Sequence, residues 1–142
     1  MMRERGAWPD MVEVNEAGHD VKNGNVRREI KVVRWKGIKY TAMTLETVSN
    51  KEVGTLGWME HSDAEILEYW FEEPDGWRGN GFYMPLLQDW FWKNYKNYYE
   101  HSQPNKSRGG GTYHTLSRVV PLMDIPDDIY VFRNRYISKQ GG

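Results

Sequence analysis

The chain contains no cysteine. A disulfide framework, a thiolate metal site and a cysteine nucleophile are therefore excluded, and a reducing compartment fits. Long apolar runs are missing too, since no stretch approaches the roughly 18 residues that a membrane-spanning helix needs. The charged start Met1-Met2-Arg3-Glu4-Arg5 is followed by no apolar segment, so a signal peptide is not expected and cytoplasmic residence is. Net charge is small, −1 over 142 residues, which removes any global pull toward nucleic acid or anionic lipid.

Catalytic and metal-binding spacings are also scarce. His19, His61, His101 and His114 are scattered, with no pair at helical ligand spacing, so no metal site is expected. No Gly-x-Ser-x-Gly elbow occurs. The adjacent carboxylates Glu72-Glu73 and Asp127-Asp128 diverge on any regular backbone and read as solvated surface. No catalytic residue is assigned on these grounds.

What the chain has in plenty is aromatic surface. Seven tryptophans and nine tyrosines in 142 residues, each burying on the order of 150–250 Å², exceed what one small core readily hides. Exposed Trp, Tyr and Arg are the residue types that anchor interfaces. Charge is unevenly spread as well: residues 1–51 carry +3, residues 52–100 carry −7 and residues 101–142 carry +3. The acidic middle reads as one or two solvated helix faces.

Length and pattern predict a single α+β domain. Residues 1–25, with Pro9, Gly18 and Gly24, read as a flexible or edge arm. Val26–Trp35 and Ile38–Val48 are β-prone runs joined by Lys36-Gly37, the signature of a hairpin. A turn at Ser49–Glu52 and a short strand over Val53–Met59 complete a three-stranded meander. Ser62-Asp63-Ala64-Glu65 matches a capping box, and Ile66, Tyr69 and Trp70 then share one helical face, so a helix is predicted over residues 63–73. A second helix is predicted from Met84, with Pro85 tolerated in its first turn and Leu87, Phe91, Tyr95 and Tyr98 along one side. Residues 101–111, with Gly109-Gly110-Gly111, read as a flexible loop. Thr112–Leu122 and Ile129–Ile137 supply two last strands. The sum is about five mostly antiparallel strands in one sheet, with two helices inserted between strands three and four and packed on one face.

Trp77-Arg78-Gly79-Asn80-Gly81-Phe82 is the most site-like segment, because a glycine-rich loop entering a helix presents free N–H groups to a phosphate. Val53-Gly54-Thr55-Leu56-Gly57, Glu68-Tyr69-Trp70-Phe71 and Arg78-Gly79-Asn80-Gly81-Phe82 together resemble the central part of the GCN5-related N-acetyltransferases (the GNAT family). The resemblance implies an acetyl-CoA-dependent transferase in which Arg78, Gly79 and Gly81 hold the cofactor's pyrophosphate.

Taken from the residues themselves, the leading expectation is a small non-catalytic interaction or inhibitory protein, in the style of phage accessory proteins and with no cofactor. It would bind a protein partner, or a second copy of itself, through Trp77, Arg78, Trp90, Trp92 and Tyr99. A further expectation is single-stranded nucleic-acid binding by a basic strip of Arg133, Asn134, Arg135 and Tyr136 with Lys106, Arg108, Arg118 and Lys139.

Overall fold

A computed structural model describes residues 21–23 and 26–139. In chain order the strands are β1 (Val21–Asn23), β2 (Val26–Val33), β3 (Ala42–Asn50), β4 (Thr55–Leu56), β5 (Ile66–Glu73), β6 (Gly76–Tyr83), β7 (Tyr99–Lys106), β8 (Thr112–Pro121) and β9 (Tyr130–Ser138). Among the described residues two α-helices accompany them, α1 (Trp58–His61) and α2 (Met84–Asn94). Most of the arm expected over 1–25 lies outside the described residues; Val21–Asn23 within it is an edge strand.

The fold is α+β and dominated by strands, as expected, but the strands make two sheets rather than one. Their orders are β1-β2-β5-β6-β9 and β4-β3-β8-β7. The chain parts into two compact units. The first holds the described residues up to Tyr40, Asp63–Leu87 and those from Pro126 on; the second holds Thr41–Ser62 and Gln88–Ile125. Helix α2 gives its first turn to the first unit and the rest to the second.

The expected hairpin between β2 and β3 does not form, because the two strands lie in different sheets. Strand β2 runs parallel to β5, with Arg28 opposite Ile66 and Val33 opposite Phe71. Beyond the strand end, the Trp35 N–H donates to Glu72 Oε1 at 2.9 Å, so the chain continues along β5 instead of turning back at Lys36-Gly37. A turn does follow β3, but at residues 51–54 rather than Ser49–Glu52, and the strand expected over Val53–Met59 is reduced to β4, which pairs antiparallel with β3 before α1 begins.

The helix expected over 63–73 is strand β5. Ile66, Leu67, Tyr69, Trp70 and Phe71 are all buried, on both faces of a strand paired on both sides. A short, nearly continuous apolar run is what such a central strand requires, and helical periodicity cannot be told from it at this length. The groups of the apparent capping box are used otherwise: Glu65 Oε1 accepts the Arg27 N–H at 3.0 Å, and Ser62 closes the end of α1. The two helices therefore do not follow each other as placed from sequence. Short α1 follows β4 and α2 follows β6.

Helix α2 starts at Met84 as read, with the Met84 N–H given to the Glu65 carbonyl at 2.9 Å and Pro85 where no donor is required. It ends at Asn94 and tightens into a 3-10 turn over Tyr95–Asn97, so Tyr95 and Tyr98 lie past its end. The core of the second unit gathers Met43, Leu45, Met59, Phe91 and Val120, all fully buried. Among the described residues, no helix is long and apolar enough to cross a membrane.

Candidate functional site

The glycine-rich segment is not a loop entering a helix. Arg78, Gly79, Asn80 and Gly81 lie inside β6, paired to β5 on one side and β9 on the other. Gly79 stands opposite Trp70, and a Cβ at Gly79 would collide with the Trp70 ring; a Cβ at Gly81 would likewise meet the ring of Phe132, its partner on β9. Each glycine is thus roofed by an aromatic ring from the neighbouring strand, which restores the packing that a strand glycine otherwise lacks. Trp70 and Phe132 rings meet at 5.7 Å, and Ile30, Val32, Trp77 and Ile137 complete that cluster.

Trp77 and Arg78, expected on a contact surface, belong to this interior. Trp77 is only 9% exposed, and the Lys139 ammonium stands 5.4 Å from its ring centroid. The Arg78 side chain is 12% exposed; its Nε donates to Glu73 Oε2 at 2.7 Å. The same guanidinium gives a second donor to the Tyr40 carbonyl at 2.6 Å and lies 4.9 Å from the Phe71 ring centroid. A side chain held by a carboxylate, a carbonyl and a ring is a structural cross-brace.

The expected basic strip is also redistributed. Its members fall in both units: Lys106, Arg108 and Arg118 in the second, Arg133, Arg135 and Lys139 in the first. Arg118 lies 3.5 Å from Glu100, Arg133 2.8 Å from Asp127 and Lys139 2.7 Å from Glu72. Glu72 is held below the usual carboxylate range, first by its hydrogen bond from Lys139.

Strand β9 adds its own separation. Phe82 pairs with Tyr130, Gly81 with Phe132 and Gly79 with Arg135, so β9 carries two extra residues there. These bulges turn Tyr130 and Phe132 toward opposite faces of the sheet. Arg133 stacks on Tyr130 at 3.8 Å and Arg135 on Phe132 at 3.9 Å, which puts the two guanidiniums on opposite faces as well. Asn134 takes φ 53° in the bulge, a backbone Asn tolerates, and its N–H donates to Asn80 Oδ1 at 2.9 Å.

Tyr136 lies beside this bulge and donates its hydroxyl to Asp75 Oδ1 at 2.5 Å. That bond, with the Asp75 charge, pushes the phenol up to about 12. Because the neutral phenol is the bonded form, the contact persists below the usual tyrosine range and is lost as pH rises through the elevated value. Ultraviolet titration should accordingly show Tyr136 among the late-ionising tyrosines, and Asp75→Asn should return it toward the ordinary range near 10. Ionisation of all exposed tyrosines together would refute the contact.

In the second unit, Trp90, Trp92 and Tyr99 meet different fates. Trp92 is half-buried; its indole N–H donates to the Met59 carbonyl at 3.2 Å, and its ring stands edge-on to Phe91 and Tyr95, each at 5.0 Å. Trp90 is half-buried too and tilts against Tyr98 at 6.1 Å. The Tyr98 phenol is raised by burial and by its bond to Asp124 at 3.1 Å. Arg118 donates to the Tyr98 carbonyl at 2.9 Å and lies 5.2 Å from the Tyr95 centroid. Tyr99 alone of the five stands clear, 71% exposed.

Around Tyr99 the structure assembles a surface that the sequence reading missed. Residues 101–106, read as loop, continue strand β7, and only Ser107–Gly111 forms a loop, closed by Ser107 N–H donating to the Gly111 carbonyl at 2.8 Å. Strand β7 pairs with β8 from Tyr99 opposite Val119 to Lys106 opposite Thr112. Val120 on β8, with Met43 and Leu45 on β3, faces the buried core. By strand alternation the opposite face presents Tyr99, His101, Gln103 and Asn105 from β7, beside Tyr113, Thr115, Ser117 and Val119 from β8. The Asn105 amide donates to Thr115 Oγ1 at 2.9 Å, and Thr115 donates on to the Ser49 carbonyl at 3.0 Å, fixing the polar centre of this face.

None of those eight side chains is a carboxylate. At the hairpin end stand Lys106 and Arg108, neither in an ion pair among the described residues. Glu100 belongs to the other face, with Arg118. His114 is also on that side, where Glu52 takes its Nδ1 at 2.7 Å and its N–H at 2.8 Å. The His114 bonds hold the Glu52 carboxyl below its ordinary value and fasten the turn after β3 to β8. Among the described residues, no group of three or more His, Asp or Glu is placed to hold a metal ion.

Comparison with protein-family models, curated proteins and solved structures returns no match.

Proposed function

We propose that the chain is a non-catalytic binding protein that takes a macromolecular partner on the open face of its four-stranded sheet, with Tyr99 as the principal contact. The observation that carries this reading is the exposure of Tyr99 at 71% beside the exposed His101 and Gln103 on one face of β7, with Tyr113 at the far end of that face. A tyrosine pays little rotamer entropy when covered and joins apolar area to a polar tip, which is why it recurs among interface hot spots. Trp77 and Arg78 leave the expected contact set, since burial and internal bonds already employ them. Trp90 and Trp92 are half-committed to packing.

The test is capture followed by rebinding of the purified partner. Tyr99→Ala should weaken rebinding at least about tenfold, roughly 1.4 kcal/mol, with an unchanged unfolding midpoint. A partner that rebinds Tyr99→Ala as tightly as the parent overturns the proposal. Light scattering identifies the case in which the partner is a second copy: Tyr99→Ala then shifts a dimer to monomer.

A further inference from the structure

We infer that the occupant of this face is single-stranded nucleic acid, an inference that rests on the binding reading above and names its partner. Three features of the face point the same way. First, rings stand at its two ends and between them: Tyr99 opposite Val119, Tyr113 opposite Asn105, and the His101 imidazole opposite Ser117. Alternate residues on one strand are about 6.8 Å apart, so the rings form separate platforms on which successive bases can stack, a contact open to any base because each has a π-face.

Second, the groups between the rings are neutral donors and acceptors: Gln103, Thr115 and Ser117. They suit base edges and sugars, whereas a protein partner of ordinary composition would find aliphatic surface only at the end where Val119, Ala42 and Pro121 gather. Third, charge is complementary to a polyanion. The β7 and β8 side chains of the face include no carboxylate, and Glu46 of β3, opposite Ser117, is engaged by the Trp58 N–H at 3.3 Å. The hairpin end beyond them carries Lys106, on the Glu100 side of β7, and Arg108 in the loop, neither in an ion pair among the described residues. The loop bearing Arg108 holds three successive glycines, with Gly110 at φ 93°, so backbone bulk does not obstruct an approaching phosphate. The arginines of β9 lack this arrangement, being on opposite faces of their sheet with Arg133 engaged by Asp127.

The experiment is fluorescence anisotropy of labelled oligo-dT and oligo-rU twelve-mers against the full chain. Binding should weaken with salt, and two phosphate contacts give a log–log slope near −1.4, at about −0.7 per contact on single strands. Lys106→Ala with Arg108→Ala should flatten that slope. Tyr99→Ala should weaken binding about tenfold, while Tyr99→Phe, which keeps the ring, should bind as the parent does. Arg135→Ala serves as a control that leaves affinity unchanged, and urea midpoints verify that each variant folds.

Absence of salt-sensitive binding, or binding that survives both the Tyr99→Ala and the paired cation substitutions, overturns the inference. If it falls while a captured protein or glycan still requires Tyr99, the nucleic-acid assignment alone is wrong and the binding reading stands. If no ligand of any class depends on Tyr99, both fall.

Discussion

Gly79→Ala is expected to destabilise the protein by about 3 kcal/mol or more, the largest effect of any single methyl addition in the first unit. The added Cβ points into the Trp70 ring, which is fully buried. That ring has little freedom to withdraw: its Nε1 donates to Glu68 Oε1 at 2.9 Å, and Glu68 is itself paired with Arg28 at 2.8 Å. Overpacking a well-filled site commonly costs about 1–3 kcal/mol. Here relief also means breaking a hydrogen bond to a buried carboxylate, worth a further 1.5–3 kcal/mol or so. The lower strand entropy of alanine returns only about 0.5–1 kcal/mol. Gly81→Ala offers the contrast, because the Phe132 ring it meets is half-buried and lies on an edge strand, where it can swing aside. Urea unfolding at constant m-value measures both. Trp70→Leu should suppress most of the Gly79→Ala penalty, since the two changes share one contact and are not additive. Equal costs for the two glycines would refute the roofing arrangement.

Much of the β structure was legible wherever pairing is local or alternation is clean. Strands β8 and β9 were found within a residue or so of their bounds, and the start of α2 was fixed by Met84-Pro85. The errors share a physical origin in contacts made far along the chain. Arg28 and Ile66 pair across 38 positions, and no turn residue between them announces it. A hairpin was the natural local reading of Val26–Val48, and the parallel β2–β5 pairing replaced it. In β5 two signals conflicted, a capping box against a continuous apolar run, and burial on both faces decided for the strand. In β7, Ser102-Gln103-Pro104-Asn105 has low strand propensity, and the edge position explains why Pro104 is tolerated, since its missing donor faces outward.

The site was legible only in part for a related reason. Composition correctly marks aromatics as more numerous than a small core demands, yet it cannot say which of them are roofed. The glycine pattern of Arg78–Gly81 means phosphate cradle on a loop and ring-covered strand inside a sheet, and the same letters serve both. Tyr99 was singled out from sequence, but its companions His101, Gln103, Asn105 and Tyr113 were not. They become neighbours only once β7 is seen to be a strand, with every second side chain on one face.

Arg78→Ala separates the interior role of this residue from the contact role that composition suggests. The substitution is expected to cost about 2–4 kcal/mol, because it strands Glu73, whose side chain is only 16% exposed, and removes a donor from the Tyr40 carbonyl. Removing one partner of a fully buried pair costs roughly 3–5 kcal/mol, and partial exposure of both groups lowers that figure here. Lysine should not rescue it: one ammonium cannot reach carboxylate and carbonyl together while lying flat on the Phe71 ring, so Arg78→Lys should still lose about 1–2 kcal/mol. Adding Glu73→Gln to Arg78→Ala should recover part of the loss, as the stranded charge is then gone. A residue that instead worked by touching a partner or a phosphate would behave in the opposite way, with unfolding unchanged and binding diminished. Measured together, the urea midpoint and the affinity for any Tyr99-dependent ligand decide the matter. The cross-brace predicts a lowered midpoint and, at temperatures where the variant remains folded, an affinity equal to the parent's.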